Sequence, residues 1–210
     1  MARVTTETDA GRRRLSAEER RERILEAAQE VFAARGYEAA SIGEIAKAAG
    51  IAPSVIYDHF PSKRNLHMEL LQRQATELFE LTTRPVQNES FEERVRWNIE
   101  AFFGFVEEHP FAWRMLFRDV GGDPEIADFE RNRQREATKG LARLFATLPE
   151  VKLAGDVGRE VADEMIAETV KSATNGLAGW WYEHRQVTRE QVVDLAMRLL
   201  WNGLKDVPAK

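Results

Sequence analysis

The chain has 210 residues, 43% of them hydrophobic and 31% charged, which supports a sizeable folded core and excludes a disordered chain. It contains no cysteine, so disulfides, thiolate metal sites and cysteine nucleophiles are excluded. The net charge of −5 divides unevenly: residues 1–66 carry 11 Arg and Lys against 10 Asp and Glu, and the remainder 19 against 25. Neither balance is extreme, and a protein that touches DNA with one small face needs only that face to be basic.

Residues 1–15 have few apolar side chains and read as a flexible basic arm, with no apolar segment suited to a signal peptide. The densest apolar run, residues 102–106, is far too short for a membrane span, so a soluble, cytoplasmic chain without membrane contact is expected. Helix-start signals then recur along the sequence. Ser16–Glu19, Ser41–Glu44, Ser90–Glu93 and Thr188–Gln191 fit the capping box, in which a hydroxyl accepts from a first-turn amide while the acid or amide reaches back. Asp123 before Pro124 is a good N-cap before a first-turn proline, and Ser62 and Asp156 are further cap candidates.

Apolar residues at helical spacing fill the intervals. Ile24, Ala27, Ala28, Val31 and Phe32 form a stripe ending at Gly36, and Ile42, Ile45, Ala46 and Ala49 form a second ending at Gly50. Further helices are expected over 53–60, 63–81, 91–109, 111–118, 124–147, 157–184 and 189–205, with Pro85 and Pro110 as interruptions. Strand-like alternation is missing. The expected fold is all-α with about nine helices: an arm (1–15), a helix-turn-helix unit (16–66) and a second helical domain (67–210).

Two short helices joined by Gly50-Ile51-Ala52 are the most informative local feature, because a short Gly-containing turn between short helices is the helix-turn-helix arrangement. Ile42, Ile45 and Ala46 give the first an inner face, and Ile56 and Phe60 anchor the second. Ser54, Val55, Tyr57, Asp58 and His59 are left to face outward to varying degrees.

The segments Ile24–Phe32, Arg35-Gly36-Tyr37, Ser41–Ala46, Ala49-Gly50-Ile51 and Ile56–Lys63, followed by Leu66, resemble the N-terminal domain of the TetR family of transcriptional regulators. The resemblance covers about residues 20–66; beyond residue 70 it extends only to the helical plan and overall length. It implies a homodimer with one DNA-binding and one ligand-binding, dimerising domain per subunit, acting as a repressor released from a double-stranded operator by a small molecule. Transcriptional activation or ligand-independent regulation by the same fold is the alternative.

Carried onto this sequence, the resemblance gives Ser41, His59 and Lys63 as phosphate contacts. It gives Tyr57 as an aromatic whose hydroxyl meets the DNA backbone and whose ring is free for a base. The base-reading positions depart from the common family pattern. Ser54-Val55 stands where a small residue and then Thr or Ser is frequent, and Val55 offers only apolar contact, such as to a thymine methyl. Pro53 has no amide donor and starts the recognition helix, and Gly43 has no side chain where some members place a reader. Arg12, Arg13 and Arg14 either follow the duplex into a minor groove or form a run without fixed structure that neutralises phosphates.

In the second domain, Phe91, Val95, Ile99, Phe102, Phe103 and Val106 form one apolar stripe. Trp97, Ala101 and Phe105 add a second, so this helix is expected to be buried nearly all round. The resembled family lines an effector cavity with the corresponding helix, which gives Trp97, Phe105, Trp113 and Phe117 as walls for an apolar or aromatic ligand; a core without a cavity accounts for the same pattern. Ala173, Gly176 and Gly179, with Trp180 and Trp181, would let another helix approach closely, and the family's last two helices form the dimer. No His-Glu-x-x-His, Glu-x-x-His, Gly-x-Ser-x-Gly, Walker or dinucleotide motif is present, so no enzyme, metal or cofactor is expected. Glu168 and Asn175, single polar residues on helix 157–184, could line a pocket, as in an all-helical enzyme, but are read as surface or packing residues. A helical adaptor that has lost DNA binding is the remaining class.

Overall fold

The computed structural model describes residues 16–83, 90–118, 122–146 and 157–201, excluding the side chain of Phe91. Among these residues there are nine α-helices and no strand: α1 Ala17–Ala39, α2 Ile42–Ala49, α3 Pro53–Tyr57, α4 Lys63–Thr83, α5 Phe91–Glu108, α6 Pro110–Phe117, α7 Pro124–Phe145, α8 Arg159–Glu183 and α9 Arg189–Ala196. All four capping boxes form as their sequences dictate. At Ser41, for example, the hydroxyl accepts from the Glu44 amide at 3.2 Å and the Ser41 amide donates back to the Glu44 carboxylate at 3.0 Å. Asp123 caps α7 by accepting from the amides of Glu125 and Ile126, and Ser62 accepts from the amide of Asn65.

Gly36 has φ +74° and breaks α1, with one further helical turn to Ala39. Gly50 closes α2 in the left-handed region at φ +65°, which turns the chain into α3. Expected and observed ends differ most at the C-terminal helix: α9 stops at Ala196 and Met197–Trp201 continues as a π-helical turn. The 1–15 arm with Arg12, Arg13 and Arg14, together with Pro85, Asp156, Gly203 and Leu204, lies outside the described residues.

One apolar core runs the length of the molecule. Ile24, Ala28 and Phe32 of α1 meet Ile45, Ile56, Phe60 and Leu66, and Leu70 and Leu71 continue that layer toward Phe103, Val106, Trp113, Trp181 and Val193. Each such large side chain contributes about 1.5–3 kcal/mol by leaving water. The boundary expected between residues 66 and 67 falls inside α4, so one unbroken helix joins the helix-turn-helix unit to the second helical layer. A separate small cluster, Ala142, Phe145 and Ala167, pins α7 to α8.

Candidate nucleic-acid interface and effector groove

The helix-turn-helix is rigid for reasons that are local and visible. Ile45, Ala46 and Ala49 seat α2 on α1, Ile56 and Phe60 seat α3, and the Gly50 turn leaves no room for a longer connection. What the core does not take, α3 presents outward: Pro53, Ser54, Tyr57 and Asp58 are exposed, and Val55 and His59 are half-buried. Tyr57 is 55% exposed, which is unusual for a large aromatic held on a well-packed helix. Ser41 lies exposed at the start of α2 with its hydroxyl engaged in the capping box, donating to the Glu44 carboxylate at 2.9 Å. Hydrogen bonds from the Ser41 side chain and backbone hold the Glu44 carboxyl below its usual value, with help from Arg35 at 3.0 Å.

Lys63 is placed differently from the expected phosphate contact. Its ammonium points back at the end of α1, donating to the carbonyls of Tyr37 at 2.9 Å, Ala40 at 3.1 Å and Glu38 at 3.4 Å. It also sits 4.4 Å from the Tyr37 ring centroid. The break at Gly36 exposes these carbonyls, and a cation at a helix C-terminus is the natural group to satisfy them. All three ammonium protons are used inside the protein.

The next residue, Arg64, leaves the helix-turn-helix altogether. Its guanidinium pairs with Asp123 at 2.8 Å and Glu125 at 2.7 Å, gripping the N-terminus of α7. Desolvation raises the Asp123 pKa, but the Arg64 hydrogen bond and the two capped amides outweigh it and hold the carboxyl below its usual value. The first turn of α4 is therefore tied to α7 as well as to α1.

The four expected effector walls do not converge on one cavity. Phe105 and Trp113 are core residues, 2% and 0% exposed, and Trp97 is half-buried on α5. The Trp113 indole donates to the Asn175 amide oxygen at 3.0 Å, which holds it between α6 and α8. Phe117 alone of the four lines a groove of about 400 Å³ between α6, α7 and α8. Its floor is Leu116 and Phe117. One rim is α7 with Ala127, Glu130, Arg131, Gln134 and Arg135, and the other is α8 with Glu168, Lys171, Ser172 and Asn175.

Glu168 and Asn175, noted from sequence as single polar residues, both face this groove. Lys171 bridges to Thr138 at 2.7 Å and to Glu168 at 2.8 Å, which closes one end. Sequence reading missed Glu130, Arg135 and the Arg64 clamp. For Glu130 a signal existed: it falls four residues after the buried Ile126, on the core side of α7. Desolvation raises the Glu130 pKa against the lowering effect of Arg133.

A three-helix scaffold that seats an exposed, Tyr-bearing second helix on a Gly turn defines a helix-turn-helix DNA-binding protein. Residues 24–70 match bacterial regulatory proteins of the tetR family, and residues 91–203 match the tetracyclin repressor-like C-terminal domain. The chain belongs to the TetR family, whose members are DNA-binding transcriptional regulators rather than enzymes. It is 32% identical to the HTH-type transcriptional activator FasR of Mycolicibacterium smegmatis over 197 residues, 93% of this chain and 87% of the relative. To the HTH-type transcriptional regulator UidR of Escherichia coli it is 23% identical over 188 residues, covering 88% and 92%.

Among solved structures, a TetR-like transcriptional regulator from Rhodococcus sp. RHA1 superposes with a TM-score of 0.73 at 24% identity, covering 92% of this chain and 100% of that one. FadR from Bacillus subtilis, solved in complex with stearoyl-CoA, superposes at 0.68 with 17% identity, covering 86% and 95%. No described helix is long and apolar enough to cross a membrane.

Proposed function

We propose that this protein binds an operator as a homodimer through α3 and that a small molecule in the C-terminal helices controls the binding. The observation that supports DNA reading is the exposure of Ser54 and Tyr57 on a helix whose other face, at Ile56, is fully buried. Ser41, Tyr57 and His59 then meet phosphate or sugar, while Pro53, Ser54 and Val55 face base edges. Arg12, Arg13 and Arg14 precede the first helix and supply further cations to the same duplex.

The homodimer reading is supported by α8 and α9. Val161, Met165, Gly176 and Trp180 share an exposed face of α8, and Leu195 and Leu199 are exposed nearby in sequence order on the last helical segment. A Cβ added at Gly176 would meet nothing within 4 Å, so this glycine serves no close approach inside the subunit. Two recognition helices must enter successive major grooves about 34–36 Å apart, and dimer geometry sets that spacing.

Control follows from α7. It lines the groove along Glu130–Arg135 and is clamped to α4 through Asp123 and Arg64, so a ligand that prefers one position of α7 also prefers one position of α4. Differential affinity for the two positions is what shifts DNA binding. The sign of regulation has two readings. Release of a repressor is the family's common mode, whereas the relative at 32% identity is named an activator.

The test is a fluorescence-anisotropy titration with duplexes from the DNA flanking the protein's own gene, paired with a reporter placed under that DNA. Binding at least 10³-fold tighter than to random sequence is expected at physiological salt. Equal affinity for both would remove the operator reading, and reporter output with and without the protein gives the sign.

A further inference from the structure

The geometry points to an amide-bearing organic anion as the ligand class of the groove between α6, α7 and α8. This rests on the reading of the C-terminal helices as the effector-binding part and narrows what they take.

Three features of the groove carry it. Glu130 is 7% exposed, lines the groove, and its Oε1 has no hydrogen-bond partner among the described residues. An unpaired buried carboxyl oxygen is costly, and a ligand that pairs with it recovers that cost. Arg135 stands exposed on the same rim five residues along α7 and forms no ion pair with a described carboxylate, unlike Arg131, which is paired with Asp128. Between them Leu116 and Phe117 provide an apolar floor, and about 400 Å³ falls within the range that holds small organic ligands.

The choice of an amide follows from Glu130 itself. Burial raises its pKa against the lowering effect of Arg133, and a group that carries both a donor and an acceptor suits either form. An amide does: its N–H donates to a carboxylate and its C=O accepts from a carboxylic acid. An ammonium suits only the carboxylate. The anionic end belongs at Arg135, where a guanidinium can hold a carboxylate or phosphate through two parallel bonds.

The test uses three soluble probes on the full-length protein without DNA. Hippurate carries a phenyl ring, an amide and a carboxylate; 4-phenylbutyrate lacks the amide, and N-methylbenzamide lacks the anion. Binding is read from the indole N–H signals in two-dimensional NMR, with Trp113 identified by Trp113→Phe, because its indole donates to the groove residue Asn175. Hippurate should shift the Trp113 signal with a dissociation constant of about 1 mM or tighter, as its size allows. Each control probe should bind about tenfold more weakly. Arg135→Ala changes an exposed side chain and keeps the fold; it should weaken hippurate about tenfold and leave N-methylbenzamide unchanged. Glu130→Ala should weaken both amide probes and leave 4-phenylbutyrate unchanged.

Equal binding of hippurate and 4-phenylbutyrate, hippurate binding that survives Arg135→Ala undiminished, or an unmoved Trp113 signal would each overturn the proposal. Operator affinity measured on the same samples separates the two readings. Intact operator binding without a hippurate site removes the ligand class alone, and lost operator binding removes the regulator reading whatever the probes do.

Discussion

Replacing Lys63 with Met keeps the apolar stem and removes the ammonium, and the structure fixes what should follow. Three carbonyls at the broken end of α1 lose their donor, at 2.9, 3.1 and 3.4 Å, and the cation over Tyr37 is lost with it. Hydrogen bonds to a charged group contribute about 1.5–3 kcal/mol, but these three share one ammonium and the site is half-buried, so water can replace part of the loss. A loss of about 2 kcal/mol in unfolding free energy is expected, read by urea denaturation at unchanged m-value. DNA binding gives the contrasting readout. A phosphate contact at Lys63 in each subunit of a dimer would lower the slope of log K against log salt by about 1.8 on substitution. The inward ammonium predicts a slope changed by less than about 0.5, within what counterion rearrangement allows. A normal unfolding free energy together with a slope reduced by about 1.8 would refute the capping role and return Lys63 to the DNA surface.

Three further outcomes are expected. Gly176→Leu adds bulk to an exposed helix face that meets nothing in its own subunit, so the subunit should stay folded while dimer dissociation rises at least about tenfold by sedimentation; an unchanged dimer would move the interface elsewhere. Phe105→Ala should cost about 3–5 kcal/mol in denaturant unfolding, because the ring is 2% exposed; a loss under about 1 kcal/mol would mean the ring lines open space instead. Ser41→Ala should lose the cap and also change the response to acid. Glu44 is held below its usual value in the folded state, so its contribution is present above the ordinary carboxylate range and is lost as pH falls through the depressed folded value. Thermal melts between about pH 7 and pH 3 should show a smaller acid loss in the variant than in the parent, and identical profiles would contradict the Glu44 account.

Local chemistry was legible in the sequence. The capping boxes at Ser16, Ser41, Ser90 and Thr188, the turn at Gly50 and the Asp123-Pro124 start each involve residues within four positions of one another, and all formed where expected. The outward residues of α3 were legible for the same reason, since Ile56 and Phe60 fix which side is inner. Roles set by distant partners were not. Lys63 finds carbonyls as far as 26 residues upstream, Arg64 reaches Asp123 59 residues on, and the Trp113 indole meets Asn175 62 residues on. No periodicity encodes those meetings.

The placing of the expected effector walls was not legible for a related reason. Two apolar faces on α5 predict a helix buried nearly all round, yet Glu92, Glu93, Arg96 and Glu100 are exposed and Trp97 is only half-buried. The pattern does not say whether side chains or a ligand covers the apolar faces. The structure covers Phe105 and Trp113 with protein and opens space beside Phe117, on the far side of α6. Glu130 carried the readable clue, an acid in register with Ile126, whose meaning depends on what α6 and α8 place beside it.

Reading of one operator by α3 from two subunits is the proposal on which the rest depends. Hydroxyl-radical footprinting on the DNA flanking the gene measures it most directly. Two protected half-sites are expected about one helical turn, 34–36 Å, or a whole multiple of it apart, both lost in Tyr57→Ala. Protection without a fixed site, or a footprint that survives Tyr57→Ala unchanged, would contradict it.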